Sequence, residues 1–173
     1  MVGNEVSEQN IIEPVELESL KSYLGIVPER TEEDDLLDSL IASARSRIED
    51  RLGRAITRRK FEKTVYDPGC YNLIPSLISV IDISYTDLEG DVRKIDNFRV
   101  RKGDEARVCF SIDDPFFDSD QGIKIVFESG YDVCPESLKI AILKVCKLDH
   151  ERSTDDAIQA VWTDIQSYRV ENI

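Results

Sequence analysis

The sequence predicts an α+β fold with helices at both ends and a β-rich middle. Apolar residues recur at helical spacing over residues 15–52 and 135–165, whereas they alternate with polar residues over much of 55–128. Helix patterns and strand patterns are therefore segregated along the chain, which favours α+β over a parallel α/β sheet. The 173 residues suffice for one domain with a sizeable core, which we place at residues 15–165.

The N-terminal part predicts a helical hairpin made of a short helix and a long helix. Three leucines at i, i+3 and i+7 share one face of a helix over residues 15–24, and Gly25 suits its left-handed cap. Thr31 is expected to cap the second helix, over residues 31–52, whose acidic start and arginine-rich end match the helix dipole. The apolar stripe of this long helix consists of Leu37, Ile41, Ala44, Ile48 and Leu52.

The middle of the chain, residues 55–128, predicts about six short antiparallel strands. Residues 67–69 (Asp-Pro-Gly) form a turn signal, and residues 87–90 (Asp-Leu-Glu-Gly) are typical of a hairpin connection. The predicted strands lie at residues 55–66, 77–85, 92–95, 98–101, 107–112 and 123–127.

Two further helices and a tail follow the strands. Pro135 suits the start of a helix over residues 135–150, and a last helix is predicted over 155–165. Residues 166–173 are expected to form a short C-terminal tail. Residues 1–14 are expected to form an acidic, flexible lead.

The charge of the chain is acidic overall and unevenly placed. The formal net charge is −13, yet residues 45–63 hold eight bases and three acids, whereas residues 1–40 hold eleven acids and two bases. Such blocks would suit head-to-tail contact between identical subunits; a solvated helix with dipole-matched ends is the alternative. The candidate subunit-contact residues are Arg45, Arg51, Arg54, Arg58, Glu32, Glu33, Asp34 and Asp35.

The composition argues against several classes of protein. A general DNA binder or anionic-membrane binder is usually basic, and this chain is acidic. No apolar run approaches the ~20 residues that span a bilayer, and the first residues lack the basic and apolar parts of a secretory signal. We therefore expect a protein made in the cytosol. Its four cysteines are expected to be free thiols: Cys70, Cys109, Cys134 and Cys146.

Candidate catalytic and metal sites are weak. His150 is the only histidine; Cys146 can share its helix face, but a zinc ion would need a further ligand such as Cys134. Residues 118–122 (Asp-Ser-Asp-Gln-Gly) resemble part of a calcium loop that lacks its bidentate acid. Asp34 and Asp35 are adjacent in sequence, as are Asp113 and Asp114. Adjacent residues do not face each other on a helix, so neither pair is expected to share acid–base catalysis. We therefore expect no enzyme activity, no cofactor and no metal.

An ordered series of motifs runs along the chain. Residues 17–24 (LESLKSYL) have the form LxxLKxYL, and the long helix ends in Arg-Leu-Gly-Arg at 51–54. Residues 85–90 (YTDLEG) have the form Tyr-x-Asp-x-x-Gly. Residues 130–135 (GYDVCP) place a Gly-Tyr pair before a helix-starting proline. Residues 138–143 (LKIAIL) and then Tyr168-Arg169 complete the series.

In this order and spacing, over residues 15–170, the motifs resemble the head–tail connector (adaptor) proteins of long-tailed bacteriophages. The family also occurs in gene transfer agents. The resemblance implies a structural virion protein at the head–tail interface, made in the host cytoplasm. Its subunits would form a ring, typically twelve-fold, beneath the portal protein. The ring would extend the DNA exit channel and offer an attachment surface for a stopper or tail-completion protein.

The resemblance also implies site residues. The C-terminal tail of the family docks on the portal, which here implicates Ile165, Tyr168, Arg169, Val170 and Ile173. DNA would pass through the ring without specific binding, and acidic walls would prevent it from sticking. The candidate channel-lining residues are Asp113, Asp114, Asp118 and Asp120.

Other functions remain open from the sequence. The first is a small acidic regulatory module that recruits another protein, and the second is a metal-dependent hydrolase. Within virion proteins, a stopper or tail-completion protein is the near neighbour. Those proteins are usually rich in β-barrel structure, whereas this chain begins and ends in helices, so the connector is preferred.

Overall fold

The computed structural model describes residues 5–6, 12–152 and 155–169. It divides the chain into two compact units. The β unit comprises Met1–Ile11 and Arg58–Tyr131, and the helical unit comprises Ile12–Thr57 and Asp132–Ile173. Helices, strands and helices follow one another along the chain, so the predicted α+β class is confirmed.

The helical unit contains the four predicted helices. Their apolar faces are buried, including every position of the predicted long-helix stripe. The long helix begins at Asp34, three residues later than predicted, because the Asp34 amide donates to the Thr31 carbonyl in a turn before the helix. The helices are α1 (Leu17–Leu24), α2 (Asp34–Leu52), α3 (Glu136–His150) and α4 (Asp155–Asp164), followed by a 3₁₀ turn (Gln166–Tyr168).

Two glycines end the first two helices in the predicted way. Gly25 has a φ of 73° and Gly53 a φ of 68°, in the left-handed region that residues with a side chain rarely adopt. The Gly53 amide donates to the Glu49 carbonyl at 2.8 Å, which satisfies one of the last carbonyls of α2.

The β unit contains two antiparallel sheets. The strands are β1 (Glu5–Val6), β2 (Arg59–Val65), β3 (Gly69–Asn72), β4 (Leu77–Thr86), β5 (Val92–Lys94), β6 (Phe98–Arg101), β7 (Arg107–Phe110) and β8 (Ile123–Ser129). In the five-stranded sheet the order is β1-β2-β8-β4-β5, and in the three-stranded sheet it is β3-β7-β6. Apolar residues of β2 and β8 face the core, where the rings of Phe61 and Phe127 stack 5.6 Å apart.

Strand β3 was not among the predicted strands. The Asp-Pro-Gly turn signal is correct, but the chain leaves the turn at Gly69 directly into a strand that pairs with β7. Its residues are alternately half-buried and exposed, and none of them is fully buried. Such a strand carries little apolar periodicity, which is why the sequence did not reveal it.

The Tyr-x-Asp-x-x-Gly motif builds the predicted hairpin between β4 and β5. Asp87 is buried, and its Oδ1 accepts the amides of Glu89 at 3.0 Å and Asp91 at 2.9 Å. Its Oδ2 accepts a hydrogen bond from Nε of Arg93 at 2.8 Å. These bonds, the one from Arg93 foremost, lower the pKa of Asp87. Gly90 then turns the chain with a φ of 89°.

The prediction of four free thiols is wrong for two of them. Cys70 on β3 and Cys109 on β7 form a disulfide. They lie directly opposite each other in the antiparallel pair, so their side chains project to the same face within bonding reach. Cys134 and Cys146 are free, and burial raises the pKa of the first to about 11 and of the second to about 12. Their thiolates are therefore disfavoured at neutral pH.

Among the described residues, no helix has the length and apolar character needed to cross a membrane.

A buried charged cluster connects the end of α2 to the segment after it. Arg45 is 6% exposed, and its guanidinium donates to Glu49 Oε2 and to Glu13 Oε2, each at 2.8 Å. Glu49 Oε1 accepts the amide of Ile56 at 2.7 Å. Burial lowers the pKa of Arg45, but the two carboxylates outweigh this and raise it overall. The cluster therefore satisfies its own charges inside the helical unit.

Replacing Arg45 with methionine should destabilise the protein by about 3–5 kcal/mol, because it removes one partner of a buried, hydrogen-bonded ion pair with Glu49. The matched control is Arg47→Met, which removes a more exposed ion pair with Asp149 and should cost about 0–1 kcal/mol. Urea unfolding followed by circular dichroism measures both. Equal losses for the two variants would contradict the role of the buried cluster.

Candidate functional site

The candidate metal sites do not assemble in the part of the chain that the structure describes. Cys146 is buried with a protonated thiol, and Nε2 of His150 lies 3.7 Å from Glu33 Oε2. The one described group of three metal-capable side chains is Asp87, Glu89 and Asp91. Both oxygens of Asp87 already accept hydrogen bonds within the hairpin.

The acidic candidates at the start of α2 divide into two groups. Asp34 pairs with Nζ of Lys21 at 2.5 Å, and Glu33 pairs with Arg30 at 2.9 Å. Glu32 and Asp35 are exposed, and the nearest base to Glu32 is Arg30 at 3.6 Å. The structure therefore leaves Glu32 and Asp35, but not Asp34, available to another molecule.

Lys21 explains the lysine of the LxxLKxYL motif, which sequence reasoning left without a role. Its side chain is buried, and Nζ donates to the carbonyls of Pro28 at 3.2 Å and Arg30 at 2.8 Å as well as pairing with Asp34. A buried ammonium with three oxygen partners holds the connection between α1 and α2 in one conformation. The sequence signal for this role is a charged residue, Lys21, that lies between the apolar positions Leu20 and Leu24 of α1.

The basic candidates also differ in availability. Arg45 is buried in the charged cluster, which leaves it no surface for a neighbouring subunit. Arg58 forms a bidentate pair with Glu128, at 2.9 and 3.0 Å. Arg54 is half-buried. Arg51 is exposed, with its guanidinium 6.0 Å from the centre of the Trp162 ring.

The candidate portal-docking residues lie at the end of the described chain. Ile165 is buried in the helical unit, and the Tyr168 hydroxyl shares a 2.7 Å hydrogen bond with Ser137 Oγ. Arg169 is exposed. Val170 and Ile173 lie outside the described residues.

Arg51 and Arg169, predicted for two different surfaces, line one cleft. The cleft has a volume of about 110 Å³, and Trp162 forms part of its wall together with the two arginines. We call this the arginine cleft. Its other polar lining residues are Gln159, Thr163 and Gln166. The arrangement combines cations, amides and an aromatic face, which suits a carboxylate-bearing partner.

The four candidate channel-lining aspartates belong to one segment of the β unit but differ in their contacts. Asp114 Oδ2 accepts the Tyr85 hydroxyl at 2.5 Å, and its Oδ1 accepts the Phe116 amide at 2.9 Å. Asp118 accepts the Asp120 amide at 3.0 Å. The carboxylates of Asp113 and Asp120 are exposed, so these two are the ones open to solvent.

The Tyr85–Asp114 hydrogen bond secures this acidic segment to β4. Tyr85 is buried, and desolvation followed by the Asp114 carboxylate raises its pKa to about 12. The bond from Tyr85 in turn lowers the pKa of Asp114. The ring of Phe117 meets Tyr85 edge-on at 5.4 Å, which adds an apolar contact to the same attachment.

Residues 14–91 match the family model of phage gp6-like head-tail connector proteins. This segment resembles a head–tail connector. The resemblance predicted from the sequence is thereby confirmed. The match includes α1, α2, β4 and the turn that Asp87 organises, and it ends just before β5. Among curated proteins, none matches the sequence.

Three solved structures resemble this chain over nearly its whole length. One is described as the neck of an empty GTA particle computed with C6 symmetry, with a TM-score of 0.81, 18% identity and coverage of 98% of this chain and 97% of the other. The virion of a native gene transfer agent particle has a TM-score of 0.72, 16% identity and coverage of 95% and 97%. The neck of a native GTA particle computed with C12 symmetry has a TM-score of 0.70, 16% identity and coverage of 99% and 97%. At these identities the likeness is one of fold.

Replacing Tyr85 with phenylalanine should remove the tyrosine that ionises at about pH 12. The folded pKa lies above the unfolded value of about 10, so the contribution of Tyr85 to stability is full below pH 10. It is lost as the pH rises from about 10 to 12. Alkaline titration by near-ultraviolet absorbance, with urea unfolding at each pH, measures both effects.

Tyr66→Phe is the control for this titration because it leaves the Tyr85–Asp114 hydrogen bond intact. It should preserve the late-ionising component. Retention of that component in Tyr85→Phe would show that the assignment to Tyr85 is wrong.

Proposed function

We propose that this protein is a structural head–tail connector of a phage-like particle, and not an enzyme. The observation that carries the proposal is the family match over residues 14–91, together with a fold shared at nearly full length with neck proteins of gene transfer agent particles. In this role the protein forms a ring under the portal, extends the DNA exit channel and presents a surface to a stopper or tail protein. It acts in the virion, at the head–tail interface.

A closed ring of identical subunits needs a heterologous interface, in which two different faces of each subunit meet. The two oppositely charged ends of α2 supply two such faces. Of the predicted contact residues, we retain the exposed Arg51, Glu32 and Asp35 and leave out Arg45, which the buried cluster occupies. The related necks were computed with C6 and C12 symmetry, and a ring of twelve subunits is compatible with both.

The tail docks on the portal in this proposal. Ile165 is buried and Tyr168 is bonded to Ser137, so these two residues hold the base of the tail to the helical unit. The contact with the portal then falls to the chain from Arg169 onward, including Val170 and Ile173. An exposed arginine is a suitable anchor, since arginine is enriched at binding hot spots, and Val170 and Ile173 add two apolar side chains to the same segment.

Truncation after Arg169 should abolish ring formation on the cognate portal without unfolding the helical unit, because Ile165 and the Tyr168–Ser137 bond remain. Negative-stain microscopy of portal mixed with the full or truncated chain measures this, with circular dichroism as the folding control. A ring that survives truncation would move the docking surface to the helices. If the full chain forms no ring, the connector proposal is wrong.

The acidic segment between β7 and β8 lines the DNA channel in this proposal. Asp113 and Asp120 are its exposed carboxylates, and their charge repels phosphates and keeps the wall from retaining DNA. Asp114 and Asp118 mainly shape the segment through their hydrogen bonds.

Replacing Asp113 and Asp120 with lysine should slow DNA ejection, with a slowing that weakens as salt rises, because lysine–phosphate contacts are screened. Ejection kinetics from particles that carry the variant measure this. Glu18→Lys together with Glu29→Lys, two exposed acids of the helical unit, is the charge-matched control. Unchanged ejection in the Asp113/Asp120 variant would remove these residues from the channel wall.

A further inference from the structure

The arginine cleft is lined by two cations, and its described lining residues include no anion. Among the side chains that the structure describes, no carboxylate lies within ion-pair distance of Arg51 or Arg169. This is unusual in a chain with a net charge of −13, where acids outnumber bases by 35 to 22. A carboxylate bound in the cleft would neutralise this positive charge and accept hydrogen bonds from a guanidinium group.

The cleft is also built to hold a partner's side chains in one orientation. The guanidinium of Arg51 lies over the Trp162 ring, which limits its rotation. Trp162 is half-buried and offers an apolar surface beside the cations. The amides of Gln159 and Gln166 add donors at the same wall. A suitable ligand therefore carries two carboxylates with an apolar side chain between or beside them.

The first turns of α2 present such a group. Asp35 and Asp38 are exposed and lie three residues apart, so they project from the same side of the helix about 5–6 Å apart. Leu36, an apolar side chain in the same turn, is exposed as well. Within the described residues, neither aspartate has a basic partner. The acidic face made of Asp35, Leu36 and Asp38 is thus complementary in charge and in apolar character to the arginine cleft.

These two faces cannot meet within one chain. Asp35 and Arg51 lie near opposite ends of the same helix, sixteen positions apart, which corresponds to about 24 Å at 1.5 Å per residue. A contact between them therefore joins two molecules. Because the two faces are different, each molecule keeps one unused acidic face and one unused cleft after the first contact. Such a contact propagates from subunit to subunit, and it gives a ring when the rotation between neighbours closes.

We infer that the arginine cleft is a carboxylate-binding site whose ligand is the acidic face of α2 in a second copy of this chain. The inference rests on the proposed connector function, to which it adds the residues that join one subunit to the next. It gives Arg169 a second role, since its guanidinium lines the cleft while its backbone leads into the tail.

A charge swap tests the pairing directly. One variant carries Arg51→Glu and Arg169→Glu, so that both of its faces are acidic; the other carries Asp35→Lys and Asp38→Lys, so that both are basic. Neither variant alone should form rings on the cognate portal, because like charges then meet at every contact. An equal mixture should restore rings, because alternating subunits then pair opposite charges at every contact in a ring with an even number of subunits.

A second readout comes from the protein itself. Trp162 is the only tryptophan of the chain and lines the cleft, so its fluorescence reports occupation of the site. Mixing the two variants should shift the Trp162 emission, whereas neither variant alone should show a shift with concentration. The apparent affinity of the mixture should fall about tenfold or more between low and high salt, since exposed charge pairs are screened.

The controls carry the same charge changes at other positions of the helical unit. The half-buried Lys139 and Lys147, each replaced by glutamate, match the arginine variant. The exposed Glu18 and Glu29, each replaced by lysine, match the aspartate variant. Both should form rings as the unmodified chain does. Circular dichroism establishes that every variant is folded.

The outcomes separate this inference from the function on which it rests. Rings restored only in the mixture support the pairing. Rings formed by either swapped variant alone, or folded variants whose mixture gives neither rings nor a shift in Trp162 emission, overturn the pairing and leave the connector role standing. A shift in emission without rings supports the pairing and assigns the missing rings to the portal contact of Arg169. Absence of rings with the unmodified chain counts instead against the proposed function.

Discussion

The buried pair of Arg45 and Glu49 is the constraint on which the helical unit depends. Both groups lie on the core side of α2, where a single charge without a partner would be very unfavourable. Glu49 also accepts the amide of Ile56, so the same carboxylate that neutralises Arg45 positions the chain just after the helix. The direction in which the polypeptide leaves α2 is therefore set by a charged side chain and not by apolar packing alone.

This constraint sorts the charges of the chain into those that build the fold and those that remain for other molecules. Lys21, Asp34 and Arg45 are occupied by partners of their own unit. Arg51, Asp35 and Asp38 are exposed on the same helix and have no ion-pair partner in the part of the chain that the structure describes. The charged residues of α2 therefore serve two purposes. Some form ion pairs that hold the helical unit together, and others are exposed and suit contacts with other molecules.

The β unit shows the same division on a smaller scale. Asp87 and Asp114 have their oxygens saturated by amides, by Arg93 or by Tyr85, and they shape a hairpin and a loop. Asp113 and Asp120 remain in solvent. Acidic residues adjacent in sequence therefore serve different ends, because one faces hydrogen-bond donors of the fold and its neighbour does not.

The sequence by itself determined the α+β class, the four helices, the glycine caps and the Asp87 hairpin, because local periodicity and turn chemistry govern these features. It also determined the family resemblance, which depends on the order of the motifs. Only the tertiary structure decided that Cys70 bonds to Cys109, that β3 is a strand, and that Arg45 is buried while Arg51 and Arg169 share a cleft. These depend on contacts between residues far apart in the chain. Cys70 and Cys109, for example, are 39 positions apart, and no local pattern encodes which distant partner a side chain meets.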